Sequence, residues 1–284
     1  MQPVVDATAA RGGAAACAAR LCSSPGIRQG DDWNAAAAAA ASAAIAQPGA
    51  ATAVIGPRGA GKSTFVKWLV NRLLSKHESV FILDVDPGQT DTFLPCCLAV
   101  VRVTQPLLAP PHASDLKPFS VHFYGHTSPA VDIDAYRSAV SAAAASACAA
   151  AASEGVPLIV NTLGWVKGVG WGLTCFALAS SRSSVIINMR VAASAASKFS
   201  ANNSNAELGD AAFLAEVGPT FSCPPIPWQS IAVRDVIAPF ASPLKGNMTP
   251  SATRALQLQS YLQPSQAISR PFCSMCAEVP CAAL

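Results

Sequence analysis

At 284 residues the chain has room for one large domain, or for one domain with tails. Half of it (51%) is apolar, but alanine supplies much of that share and buries little area, so the core is smaller than the percentage suggests. Charged residues make up 12% and the net charge is +3, which permits a nucleic-acid partner but is not the basic stripe of a dedicated electrostatic binder, and the longest apolar run, 35–46, falls far short of the roughly 20 residues of a membrane span, so no membrane partner is expected.

Residues 1–48 read as an alanine-rich N-terminal segment. Its first 30 residues are rich in Ala, Arg and Ser, with Asp6 the one acid before Asp31. That composition suits a disordered tail, and an organelle transit peptide is the alternative. Asp31, Asp32 and Asn34 can cap a helix made by the following alanines, which Gln47-Pro48-Gly49 then breaks. From residue 49 to 262 the texture is that of a folded domain. Residues 51–55 predict a buried strand and 62–74 a helix with Phe65, Leu69 and Leu73 on one face. Strands follow at 79–85, 98–103 and 120–124, then a helix at 134–152 whose alanines show little amphipathic pattern. Further strands are expected at 156–160, 184–188 and 231–236. Alternating strands and helices predict an α/β fold, a mostly parallel sheet with helices on both faces. Residues 190–220 read as a loop, 223–250 as a proline-rich stretch and 263–284 as a C-terminal tail. The ten cysteines are scattered, and no disulfide framework is expected. Cys273 and Cys276 have zinc-knuckle spacing with Cys281 nearby, but no second such pair supplies four ligands, so they read as free thiols.

The chemistry concentrates after two strands. Gly56-Pro57-Arg58-Gly59-Ala60-Gly61-Lys62-Ser63-Thr64 fits GxxxxGK[ST] in full, with a strand before it and an amphipathic helix after it. In such a loop the backbone amides turn inward around phosphate oxygens, and the helix N-terminus adds a positive field. Lys62 is expected to reach the β- and γ-phosphates of ATP, and the Ser63 hydroxyl to ligate Mg2+. The strand ending in Asp84-Val85-Asp86 supplies carboxylates that can hold the metal through water or accept a proton from an attacking hydroxyl, both of which phosphoryl transfer requires. Asp84 and Asp86 are the two candidates for these tasks, Asp84 among them as a metal candidate.

Four runs in order, GPRGAGKSTF…LDVDPGQTD, TQPLLAPPH, FYGHTSPAVDIDAY and PLIVNTLGWVKGVGWGL, resemble the polynucleotide 5′-hydroxyl kinases, and among them the nucleolar branch of pre-ribosomal RNA processing. The related branch is the RNA kinase subunit of the pre-mRNA cleavage machinery. The resemblance covers residues 50–175, with weaker echoes at 226–236 and 249–262. It implies a P-loop NTPase fold, transfer of the γ-phosphate of ATP to the 5′-hydroxyl end of RNA or DNA, protein partners in an RNA-processing complex, and a nuclear or nucleolar location. It implies that Asp86 is the general base with Gln89 beside it, and that Thr162 and Trp165 belong to a clasp on the terminal nucleotide. His126, in the matching GHTSP run, is either a site residue or a structural histidine. The family lid carries two arginines four apart. Here Arg254 is present and Leu258 stands in the second position, so activity is expected to suffer, with Arg58 as a candidate for partial compensation. The family also flanks its kinase core with an N-terminal β domain, which helps hold the adenine, and a C-terminal domain. The flanks here are too short for either, so weak ATP affinity is expected. Two other readings remain: a nucleotide-binding scaffold subunit without catalysis, and a different P-loop enzyme. The absence of an NKxD segment lowers the GTPase option.

Overall fold

The computed structural model describes residues 31–47, 49, 51–108, 116–191, 232–238 and 249–262. The tail before residue 31, the cysteine-bearing tail after 262, the loop beyond 191 and the echo at Ile226 to Trp228 lie outside them. The described elements are α1 (Asp31–Ala46), β1 (Ala51–Ile55), α2 (Lys62–Leu73), β2 (Val80–Asp84), β3 (Cys97–Val103), β4 (Pro118–Phe123), α3 (Ile133–Glu154), β5 (Leu158–Asn161), α4 (Gly168–Ser180), β6 (Ser183–Val191), β7 (Ala232–Ala238) and α5 (Pro250–Leu262).

The strands form one sheet in the order β4-β3-β2-β5-β1-β6-β7. The β2–β5, β5–β1, β1–β6 and β6–β7 pairs run parallel, whereas β3 returns antiparallel to β2 and β4 to β3. The expectation of a mostly parallel sheet therefore holds, with an antiparallel edge. Strands β1, β2 and β5 are buried along their whole length, as expected of parallel strands covered on both faces. Their side chains alternate between two cores. Ala53, Ile55, Phe81, Leu83, Leu158 and Val160 meet α3 and α4 on one face. Val54, Ile82 and Ile159 meet α1 and α2 on the other, together with Ile187 of β6.

The alanines explain how the helices fit. In α3, Tyr136, Val140, Ala143, Ala144, Ala147 and Ala151 are fully buried. Their spacing is helical, and the stripe was hidden in the sequence only because alanines also occupy the exposed face. Asp132 caps this helix by accepting from Ala135 N at 2.9 Å, and Gly155 ends it at φ 66°. Helix α1 corrects a boundary. The sequence put residues 31–46 in a segment outside the domain, but Trp33 is buried edge-on against Phe65 (4.9 Å) and Trp68 (5.1 Å) of α2. The folded body includes this helix. Helix α4 was not anticipated at all, because three glycines in its first turns argue against a helix.

Candidate active site

The phosphate loop leaves the end of β1 and enters α2. Three of its glycines take positive φ: Gly56 (141°), Gly59 (80°) and Gly61 (83°). Gly56 has a further reason, since a Cβ there would lie 2.5 Å from the Met189 carbonyl of β6. The loop is tied to the segment after β5, where Arg58 N donates to Gly164 O at 3.1 Å. A Cβ on Gly164 would come within 3.0 Å of the Arg58 backbone. The Arg58 side chain is exposed.

Lys62 is buried, and its Nζ donates to Gly56 O (2.9 Å) and Pro57 O (3.2 Å). Burial lowers its pKa to about 8, against the pull of the Asp86 and Asp84 carboxylates, which favour the charged form. Ser63 is half-buried and Thr64 exposed in the first turn of α2. There the free backbone amides and the helix dipole favour an anion.

Asp84, at the end of β2, is a knot rather than an open ligand. Its Oδ1 accepts from Asp86 N (3.2 Å) and Asn161 Nδ2 (3.1 Å). Its Oδ2 accepts from Asp91 N (2.9 Å) and from the hydroxyls of Thr90 and Thr92 (3.1 Å each). A carboxylate offers about four lone-pair sites, so five donors leave none for a direct metal bond. The side chain thereby fixes the loop 86–92. Burial pushes its carboxyl up to about 7, helped by the Asp86 and Asp91 charges, while the amides of Asp91 and Asp86 pull it down.

Asp86 is half-buried, and its Oδ1 accepts from Gly88 N and Gln89 N at 3.0 Å each. Among the described residues no donor takes Oδ2. Tyr136 of α3 donates to Val85 O at 2.7 Å, which locks the chain between the two aspartates. The GHTSP segment backs the same loop, since a Cβ on Gly88 would lie 2.4 Å from Thr127 O. His126 is exposed and meets Tyr124 edge-on at 5.4 Å. Gln89 is exposed on the rim.

The lid candidate reaches this loop. Arg254 of α5 donates from Nη1 to Gly88 O (3.3 Å), and Gln257 from Nε2 to Thr90 O (2.7 Å). Leu258, one turn on, is exposed. The clasp pair divides. Thr162 is fully buried and its hydroxyl donates to Val54 O at 2.8 Å, so it braces β5 against β1 instead of presenting its hydroxyl to a nucleotide. Trp165 is 40% exposed, and its indole lies so close to Gly170 of α4 that a Cβ there would meet the ring at 2.1 Å. One side of the indole is held by backbone while the rest remains accessible. Asn161, Tyr136, Thr90 and Thr92 were given no role from sequence. Each stood inside or beside a matched run, but the roles come from pairings with distant residues.

The family described as mRNA cleavage and polyadenylation factor CLP1 P-loop matches residues 56–208, more than half of the chain. The chain belongs to this family. The chain is 37% identical over 118 residues to polynucleotide 5′-hydroxyl-kinase NOL9 of Danio rerio and 35% over 117 residues to NOL9 of Homo sapiens. It is 35% identical over 120 residues to polynucleotide 5′-hydroxyl-kinase GRC3 of Debaryomyces hansenii. These matches take in 41–42% of this chain and 16–18% of the relatives. The matched region thus spans about a fifth or less of the length of the curated relatives. A solved Clp1p–Pcf11p complex contains the same fold, with a TM-score of 0.59 at 12% identity over 81% of this chain and 53% of that one. The fold thus carries the phosphate loop and the aspartate loop at the carboxyl ends of β1 and β2, with β5 between them.

The donors suit magnesium held mainly by phosphate and water. Among the described residues no group of three or more His, Cys, Asp or Glu could cage a metal. The hard acceptors at hand are the Ser63 hydroxyl and the Asn161 amide oxygen, which is buried and has no hydrogen-bond donor.

Proposed function

We propose that this chain transfers the γ-phosphate of ATP to the 5′-hydroxyl end of RNA, or of DNA, within RNA processing in the nucleus or nucleolus and together with protein partners. The observation that carries the proposal is the Asp86 carboxylate. One of its oxygens is pinned by two amides, the other is left to accept a proton, and the loop bearing it is gripped by Arg254 on one side and Thr127 on the other.

The residues divide the work. Lys62 leaves its own loop carbonyls to neutralise the β- and γ-phosphates, while the amides of residues 57–64 orient them. Ser63 would hold magnesium, which supplies charge neutralisation across the phosphates when bound. The terminal nucleotide stacks on the exposed part of Trp165, an interaction worth about 1–3 kcal/mol that does not read base identity. Asp86 Oδ2 takes the proton of the attacking hydroxyl, and Arg254 faces the charge that develops on the transferred group.

Transfer of labelled γ-phosphate to 5′-hydroxyl oligonucleotides tests this. Transfer should vanish in Lys62→Ala, and should fall about 100- to 10,000-fold in Asp86→Asn with ATP binding retained. Loss of ATP binding along with transfer in Asp86→Asn would remove the base role. Leu258 favours a second reading, a nucleotide-binding scaffold subunit, because the second lid position carries no charge. Leu258→Arg discriminates between them. It should raise the transfer rate of a kinase about tenfold or more, and do nothing for a scaffold.

A further inference from the structure

Asn161 ends β5 between the two strands that bear the chemistry. Its backbone is in register with Asp84 of β2 on one side and Val54 of β1 on the other. Its amide nitrogen donates to Asp84 Oδ1 at 3.1 Å, across 77 residues of sequence. The side chain is 3% exposed, and its Oδ1 has no donor. Leaving a buried amide acceptor unpaired costs on the order of 1–3 kcal/mol, so such a group calls for an explanation. Turning the amide over does not remove the problem, because it would set oxygen against the Asp84 carboxylate and orphan the nitrogen instead.

The position supplies the explanation. Asn161 stands beside β1 just before the phosphate loop begins, and the carboxylate it holds has no lone pair to spare. We propose that Asn161 positions the hydration shell of the nucleotide's magnesium, with Nδ2 fixed on Asp84 and Oδ1 accepting a hydrogen bond from a metal-bound water. Magnesium keeps several of its waters when it binds with phosphates, and those waters are strong donors that need acceptors in the protein. The nitrogen is committed to Asp84, so the oxygen is the end left to accept. The same residue thereby links the metal to the knot that sets Asp86. This inference rests on the reading that the phosphate loop binds ATP with magnesium, and it does not require that phosphate be transferred.

The test is ATP affinity of the full chain measured twice, with magnesium and with EDTA, for the wild type, Asn161→Leu and Val160→Ala. The wild type should bind more tightly with magnesium. Asn161→Leu should lose about tenfold in the magnesium affinity, the factor that about 1.4 kcal/mol represents, with the EDTA affinity within about twofold of wild type. Val160→Ala, which trims the core on the same strand, should lower the melting temperature and leave the magnesium-to-EDTA ratio alone. An unchanged ratio in Asn161→Leu would overturn the proposal, as would a wild type indifferent to magnesium. If Asn161→Leu does not fold, Asn161→Ser, too short to reach either partner, carries the same readout. Failure of both to fold would mark a purely structural residue and likewise overturn it. A protein that passes this test yet transfers no phosphate would keep the role of Asn161 and lose the kinase reading.

Discussion

Lys62 illustrates how much one buried residue can carry. Its burial is what brings its pKa down to about 8, so its charge is present at neutral pH and lost as pH rises through that value. ATP favours the charged form, which means that binding above pH 8 must draw a proton onto Lys62. ATP affinity should therefore weaken as pH rises from about 7 to 9, with proton uptake on binding visible as a buffer-dependent enthalpy. A flat affinity across that range would mean that Lys62 does not face the phosphates. At this scale the sequence was informative where geometry demands a residue type. The phosphate-loop glycines were legible because glycine takes positive φ at the least cost. No sequence shows that the Thr162 hydroxyl turns inward to Val54, and the five donors of Asp84 come from segments as far apart as residues 86 and 161.

The elements were legible wherever apolar periodicity was clean, as in β1, β2, β5 and α2. They were not where composition hid the pattern. Helix α4 starts with glycines that weaken a helix by about 1 kcal/mol each relative to alanine, and the reason for one of them is tertiary: Gly170 makes room for the Trp165 ring. Gly170→Ala should therefore separate two effects. Helix propensity improves, so a stability loss would not be its main consequence, but the indole must move. With Trp165 stacking on the terminal nucleotide as proposed, the KM for RNA should rise about tenfold while ATP affinity stays within about twofold. Steady-state kinetics in both substrates would decide, and equal losses in both would reduce Trp165 to packing.

At the scale of the whole molecule, the sheet order does what no linear reading could. Inserting β5 between β1 and β2 sets the phosphate loop, the Asp84–Asn161 pair and the Asp86 loop side by side. The same scale shows why α1 belongs to the domain: Trp33, Phe65 and Trp68 form one aromatic cluster over α2, the helix that the phosphate loop starts. Trp33→Ala should cost about 3–5 kcal/mol in denaturant unfolding, typical of a fully buried aromatic. A loss below about 1 kcal/mol would mean that α1 merely rests on the surface.

The contacts of Lys62 with the carbonyls of Gly56 and Pro57 bear on ligand choice. An incoming nucleotide does not meet a bare cation but one already satisfied by two neutral oxygens, so entry is an exchange of partners. Only a ligand whose phosphate chain extends to the lysine offers charged oxygens good enough to displace them. With Lys62 meeting the β- and γ-phosphates as proposed, adenosine and its monophosphate should leave the lysine where it is. On that reading the resting loop discriminates by phosphate number, independent of any contact with the base.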